Sequence, residues 1–161
     1  MKLYKFLFEE VDRNQFNYGP VYHGGTWDGV SPIKTTGRGA LGSGAYFTPN
    51  KSIAENYAQE SGGEVIETYL DLKNPLEIHV NKNTYSHPCV QALVKLGVNE
   101  EKAAKKVEKV EEQKGYIGKE ISSLAIGKGY DGLIQYFDGE PKEIVIWNFK
   151  QVKPITKDST E

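Results

Sequence analysis

Apolar and polar positions alternate over residues 3–8, with Leu3, Lys5 and Leu7 set against Tyr4, Phe6 and Phe8, and this period predicts a leading strand. Residues 12–20 carry no such period and read as a loop. Val21, Tyr22 and His23 form a short strand expected to stop at Gly24 and Gly25, and residues 45–48 form another. Seven glycines between Gly24 and Gly44 are too many for a packed element, so a long loop joins these two strands. The run Pro49, Asn50, Lys51, Ser52 is a polar cap followed by Ile53, Ala54, Tyr57 and Ala58 at helical spacing. A helix is therefore expected to about residue 59, closed by Gly62 and Gly63.

Strands are expected at 64–72 and 75–80, then a helix over 87–96 ended by Gly97. Residues 99–114 place Ala103, Ala104, Val107 and Val110 at three- and four-residue intervals among Glu and Lys, which predicts a solvated amphipathic helix. A further helix covers 117–126. Residues 131–137 and 143–147 are strong strands separated by the turn residues 138–141, hence a hairpin. Residues 152–155 add a short strand, and 157–161 read as a frayed tail. Strands cluster at both ends with helices between them, so the expected class is α+β with a mostly antiparallel or mixed sheet. With no repeat or linker, a single domain over 1–161 is expected, its core at about 21–155.

Composition narrows the chemistry. Twenty basic residues against 22 acidic ones leave a formal charge of -2, so no global basic field draws in a nucleic-acid backbone. The lone Cys89 neither staples the fold nor builds a zinc site, and no C-x-x-C or H-E-x-x-H spacing occurs, so no metal is expected. The first ten residues end in two acids and lack the basic start and apolar core of a secretion signal. No run reaches membrane-spanning length. The expected setting is the cytoplasm, of a host cell if the chain is viral or an effector, and the expected state is a monomer.

The run from Gly37 to Gly42, with Arg38, Gly39, Ala40 and Leu41 between, satisfies G-x-G-x-x-G. It follows Thr35 and Thr36 and opens onto a strand, whereas a dinucleotide fingerprint follows a strand and opens a helix. Gly127, Lys128 and Gly129 lack the upstream glycine and following hydroxyl of a P-loop. Kinase and NTPase chemistry therefore has no anchor.

An ensemble of short motifs remains: Tyr22-His23-Gly24-Gly25-Thr26, then Gly42-Ser43-Gly44-Ala45-Tyr46-Phe47-Thr48, then 52–58, then Gly129-Tyr130-Asp131-Gly132, and finally Glu143-Ile144-Val145-Ile146-Trp147-Asn148. In order and spacing this ensemble resembles the ADP-ribosyltransferase superfamily, over about residues 21–155. The likeness is to the branch with a His, Tyr, Glu triad, the diphtheria-toxin-like and poly(ADP-ribose)-polymerase-like enzymes, and to its small phage and bacterial members. The resemblance implies split mixed and antiparallel sheets forming an NAD cleft, with short helices between. It implies NAD as substrate, cleavage at the nicotinamide–ribose bond, and transfer of ADP-ribose to a macromolecular acceptor, a protein in preference to a nucleic acid. NAD hydrolysis, or binding of NAD, ADP-ribose or a host partner without chemistry, are the alternatives.

Carried onto this chain, the resemblance makes His23, Tyr46 and Glu143 the catalytic residues. Gly24, Thr26, Arg38, Gly44 and Tyr57 are the expected NAD-binding residues. The types suit the roles. An imidazole at a strand end bonds ribose hydroxyls, and the family's glycine there grips the nicotinamide carboxamide. Tyr46 and Tyr57, eleven residues apart, match the two aromatics that sandwich a cationic ring. Glu143 starts an apolar strand where an unpaired carboxylate is costly, and an anion stabilises the positive charge built on the ribose as nicotinamide leaves. Arg38, one of two arginines among 18 lysines, is the candidate phosphate clamp, and Tyr22, Trp27 and Lys34 are candidates to line the same groove. Two positions depart from relatives of the superfamily. Ala54 stands where a serine commonly bonds the carboxamide, and Pro141 stands where the arginine-modifying toxins carry Gln or Glu.

Overall fold

A computed structural model describes residues 11–83 and 86–155 of the chain. The expected leading strand at 3–8 and the tail at 157–161 lie outside the described residues. Contacts divide the chain into two compact units. One comprises residues 11–34, 47–73 and 148–155; the other comprises 35–46, 74–83 and 86–147.

The first unit is built on an antiparallel sheet in the order β1 (Tyr18–Gly25), β3 (Glu64–Leu70), β7 (Val152–Pro154). Strand β1 begins three residues before its expected start. The register shifts between Tyr18 and Val21, where the Gly19–Pro20 bond is cis, so the strand continues through a bulge that the glycine–proline pair had suggested was loop. It also runs on through both glycines. Helix α1 (Lys51–Ser61) is capped by Asn50, whose side chain accepts from the N–H of Ser52 at 2.9 Å and of Ile53 at 3.3 Å. Gly62 ends it in the left-handed region at φ 72°, donating to the carbonyls of Ala58 and Gln59.

The second unit has a four-stranded mixed sheet in the order β2 (Ala45–Phe47), β6 (Glu140–Ile146), β5 (Gly132–Phe137), β4 (Pro75–Val80). β4 and β5 are parallel, β5 and β6 antiparallel. Helices α2 (Pro88–Lys95), α3 (Glu100–Glu112) and α4 (Glu120–Gly127) cover one face. Ile78, Leu133 and Val145 from the strands meet Leu93, Ala103, Val107 and Ile121 from the helices there. Each fully buried Leu or Ile contributes about 1.5–3 kcal/mol. Helix α3 is thus less solvated than its charge suggests: Ala103 and Val107, one turn apart, are buried, while the Glu101–Lys105 pair faces water. Helix α4 starts three residues later than the apolar run, because Gly118 takes a left-handed turn at φ 67°. The chain is α+β, with four helices among the described residues. None of these is long and apolar enough to cross a membrane.

The hairpin turn is shorter than expected. Asp138 and Gly139 alone make it, both at positive φ (48° and 83°), and Glu140 and Pro141 already pair with Phe137 and Tyr136. Glu143 therefore lies mid-strand. Its partner is Gln135, and Lys142 is the extra residue of a bulge between the two registers.

Candidate active site

In the first unit, His23 sits on β1 with its ring edge-on to Trp27, 5.7 Å between centroids, and tilted against Phe47 at 5.6 Å. Aromatic walls fix the imidazole plane. Beside it opens a pocket of about 300 Å³ lined by His23, Thr26, Trp27, Asp28, Ile33 and Lys34, among others. The loop below is held by Asp28, whose Oδ1 accepts from the N–H of Val30 and of Ser31, both at 2.8 Å. Those bonds keep the Asp28 carboxyl below its ordinary pKa. Trp27 closes the loop by donating Nε1–H to the Ser31 carbonyl at 2.7 Å.

Gly24 has two distinct uses. A Cβ placed on it would lie 1.8 Å from the Ala54 carbonyl oxygen, so α1 packs directly on the bare backbone. Its peptide groups lie in the plane of the sheet, at right angles to that direction. Tyr22 exchanges both backbone hydrogen bonds with Thr48, at 2.8 and 2.9 Å, which directs its N–H and C=O away from β3. Two residues on, strand alternation sends the Gly24 N–H and C=O to that same edge, beyond the Thr48 bridge. An N–H and a C=O side by side on a strand edge match the C=O and NH₂ of a carboxamide. Tyr57 lies on α1, half its surface exposed at 50%. Ala54 is fully buried.

Tyr46 and Glu143 lie in the second unit. The Tyr46 hydroxyl accepts from the Leu41 N–H at 2.9 Å and donates to the Gly42 carbonyl at 2.5 Å. Burial lifts its pKa well above the usual tyrosine value, the Leu41 bond opposes this, and the nearby Glu143 charge adds to it. Tyr46 is therefore a protonated splint for the loop at 39–42, and a Cβ on Gly39 would collide with its ring at 2.0–2.3 Å. Gly44 is needed for packing, since a Cβ there would meet Val145 at 2.3 Å. Glu143 is half-buried between Lys142 and the apolar Ile144, with its carboxyl pKa raised by burial and only partly offset by Lys142.

Arg38 stands on the exposed loop, its N–H donating to Thr36 Oγ1 at 3.1 Å, and it lines neither pocket described for this chain. Lys34 does line one, so the cation beside His23 is Lys34. Gln135 carried no expectation. Its signal was the one that marked Glu143, a lone polar residue in an apolar strand run. Among the described residues no cluster of His, Cys, Asp or Glu is arranged to hold a metal ion.

Residues 18–161 match the family model for the ADP-ribosyltransferase in polyvalent proteins, and the chain belongs to that family. ADP-ribosyltransferase domains in general use NAD as substrate. No curated protein matches the chain.

Proposed function

We propose that the chain is a mono-ADP-ribosyltransferase that cleaves NAD at the nicotinamide–ribose bond and passes ADP-ribose to a protein acceptor. The carrying observation is Glu143, a carboxylate kept half-buried mid-strand beside Tyr46. A charge in such partly desolvated surroundings acts strongly on a cation developing nearby. In this reading the outward N–H and C=O of Gly24 hold the carboxamide, His23 and Thr26 bond the ribose, and Tyr46 and Tyr57 stack on the nicotinamide ring. Lys34 serves the phosphates, with Arg38 as a second cation on an exposed loop. As the C1′–nitrogen bond breaks, the bonding pair leaves with nicotinamide and ionised Glu143, bonded to the 2′-hydroxyl, stabilises the ribosyl cation.

Glu143→Gln tests this, because it keeps shape and one acceptor oxygen while removing the charge. Single-turnover nicotinamide release should fall about 100- to 1000-fold with NAD affinity near that of the native chain. Near-native release would leave Glu143 a structural residue and remove the proposal's support.

A further inference from the structure

A second pocket, of about 400 Å³, lies wholly within the second unit. Its floor includes Gln135, the register partner of Glu143. Residues directly opposite in an antiparallel pair share a face, with Cβ atoms roughly 4.5–5.5 Å apart. One wall is the loop of Gly39 and Leu41 that the Tyr46 hydroxyl holds in place. The pocket therefore adjoins both residues that the second unit supplies to the site.

Its chemistry is one-sided. Val107, Val110 and Ile117 give apolar walls. Gln135 and Tyr116 can donate or accept, and the one carboxylate in the lining is Glu111. Glu111 presents a carboxylate at the mouth, 62% exposed, and Gln135 an amide oxygen. The Cys89 thiol donates to the Ala40 carbonyl at 3.0 Å. His87 Nδ1 accepts from the Cys89 N–H at 3.1 Å, which leaves the ring hydrogen on Nε2, 3.1 Å from Glu111. Among the described residues no lysine or arginine lines the pocket. A phosphate backbone would meet a carboxylate there without a counter-charge, whereas an aliphatic stem ending in a cation finds both its partners.

We propose that this pocket is the acceptor subsite and that it takes a lysine or arginine side chain of a polypeptide; the proposal rests on the transferase reading above. The stem packs on Val107, Val110 and Ile117, and Glu111 and Gln135 accept from the nitrogen end. The acceptor nitrogen first gives a proton to the Glu111 carboxylate, and its freed lone pair bonds to ribose C1′ as the bond from C1′ to nicotinamide breaks. Nicotinamide leaves with the bonding pair, and the second proton shed by the acceptor nitrogen passes to the Glu143 carboxylate.

The test incubates the full chain with NAD and synthetic peptides that differ only in a central Lys, Arg, Gln or Glu, with a single-stranded DNA oligonucleotide alongside. Mass spectrometry reads the label. Lys or Arg peptides should carry ADP-ribose, and Gln peptides, Glu peptides and DNA should not. Glu111→Gln should raise the peptide KM about tenfold or more, the loss of a charge-assisted hydrogen bond, with a smaller change in the KM for NAD. Val110→Trp, which fills the pocket and leaves the charge in place, should raise it likewise. Label on DNA or on the acidic peptide, or an unchanged peptide KM in both variants, overturns the acceptor pocket and leaves the transferase standing. A chain that releases no nicotinamide from NAD overturns the transferase reading itself, and the pocket with it.

Discussion

The two compact units hold their candidate site groups in different ways. The three-stranded unit turns them outward: the Gly24 peptide groups lie on a strand edge, and His23, Thr26 and Lys34 line an open pocket. The four-stranded unit draws them in, with Glu143 half-buried on β6 and the Tyr46 hydroxyl tied to two backbone groups. Exposed, preformed donors and acceptors favour holding a ligand in its ground state. A partly desolvated carboxylate favours acting on charge that appears only in the transition state. Under the proposed function, affinity would come from the first set of groups and turnover from the second.

The strongest way to break that assignment is Glu143→Gln. The loss should be roughly 3–4 kcal/mol in the barrier for nicotinamide release, measured in single turnover, with the NAD dissociation constant little changed. An equal loss of affinity would erase the contrast. Gly24→Ala comes next. The added methyl would sit 1.8 Å from the Ala54 carbonyl, so α1 must shift, costing about 1–3 kcal/mol of stability in a denaturant melt and loosening NAD binding measured by calorimetry. Tyr57→Ala should weaken NAD binding by about 1–3 kcal/mol while Tyr57→Phe keeps most of it, since stacking needs only the ring. Equal damage from both would assign the role to the hydroxyl.

The smallest effect is a displaced pH limb. Burial raises the Glu143 pKa above 4.5, and turnover needs the ionised form, so release should fall with acid at a pH above the ordinary glutamate range. The stability term has the opposite sign. Ionised Glu143 costs the fold something, so stability from this group declines as pH rises from 4.5 through the raised pKa and is level above it. In paired melts, Glu143→Gln should remove that decline.

Much of the framework was legible where a local rule acts alone. Asn50 caps its helix as its polarity suggests, and β4 spans 75–80 as its apolar period predicts. What stayed hidden depends on partners distant in sequence. Pro20 and Pro141 read as loop and turn, yet both belong to strands because a bulge beside each absorbs the misfit. Val107 reads as the fringe of a solvated helix until the core against it is known. In the site, His23, Gly24, Tyr46 and Glu143 carried motif signals. Lys34 stood only among candidates to line the groove and Gln135 was not singled out, because lining a pocket is a property of the folded loop or of cross-strand register.

The bulge at Lys142 separates two frames of alternation along one strand. Ahead of it the hairpin tip keeps its own inside and outside; behind it Glu143 takes its facing from the pairs of Ile144, Val145 and Ile146 with β5. Changes of length at the tip are spent at Lys142 before they reach the carboxylate. The hairpin end is therefore an interchangeable part: a longer or differently charged tip can be grafted between Tyr136 and Lys142 while the glutamate keeps its aim.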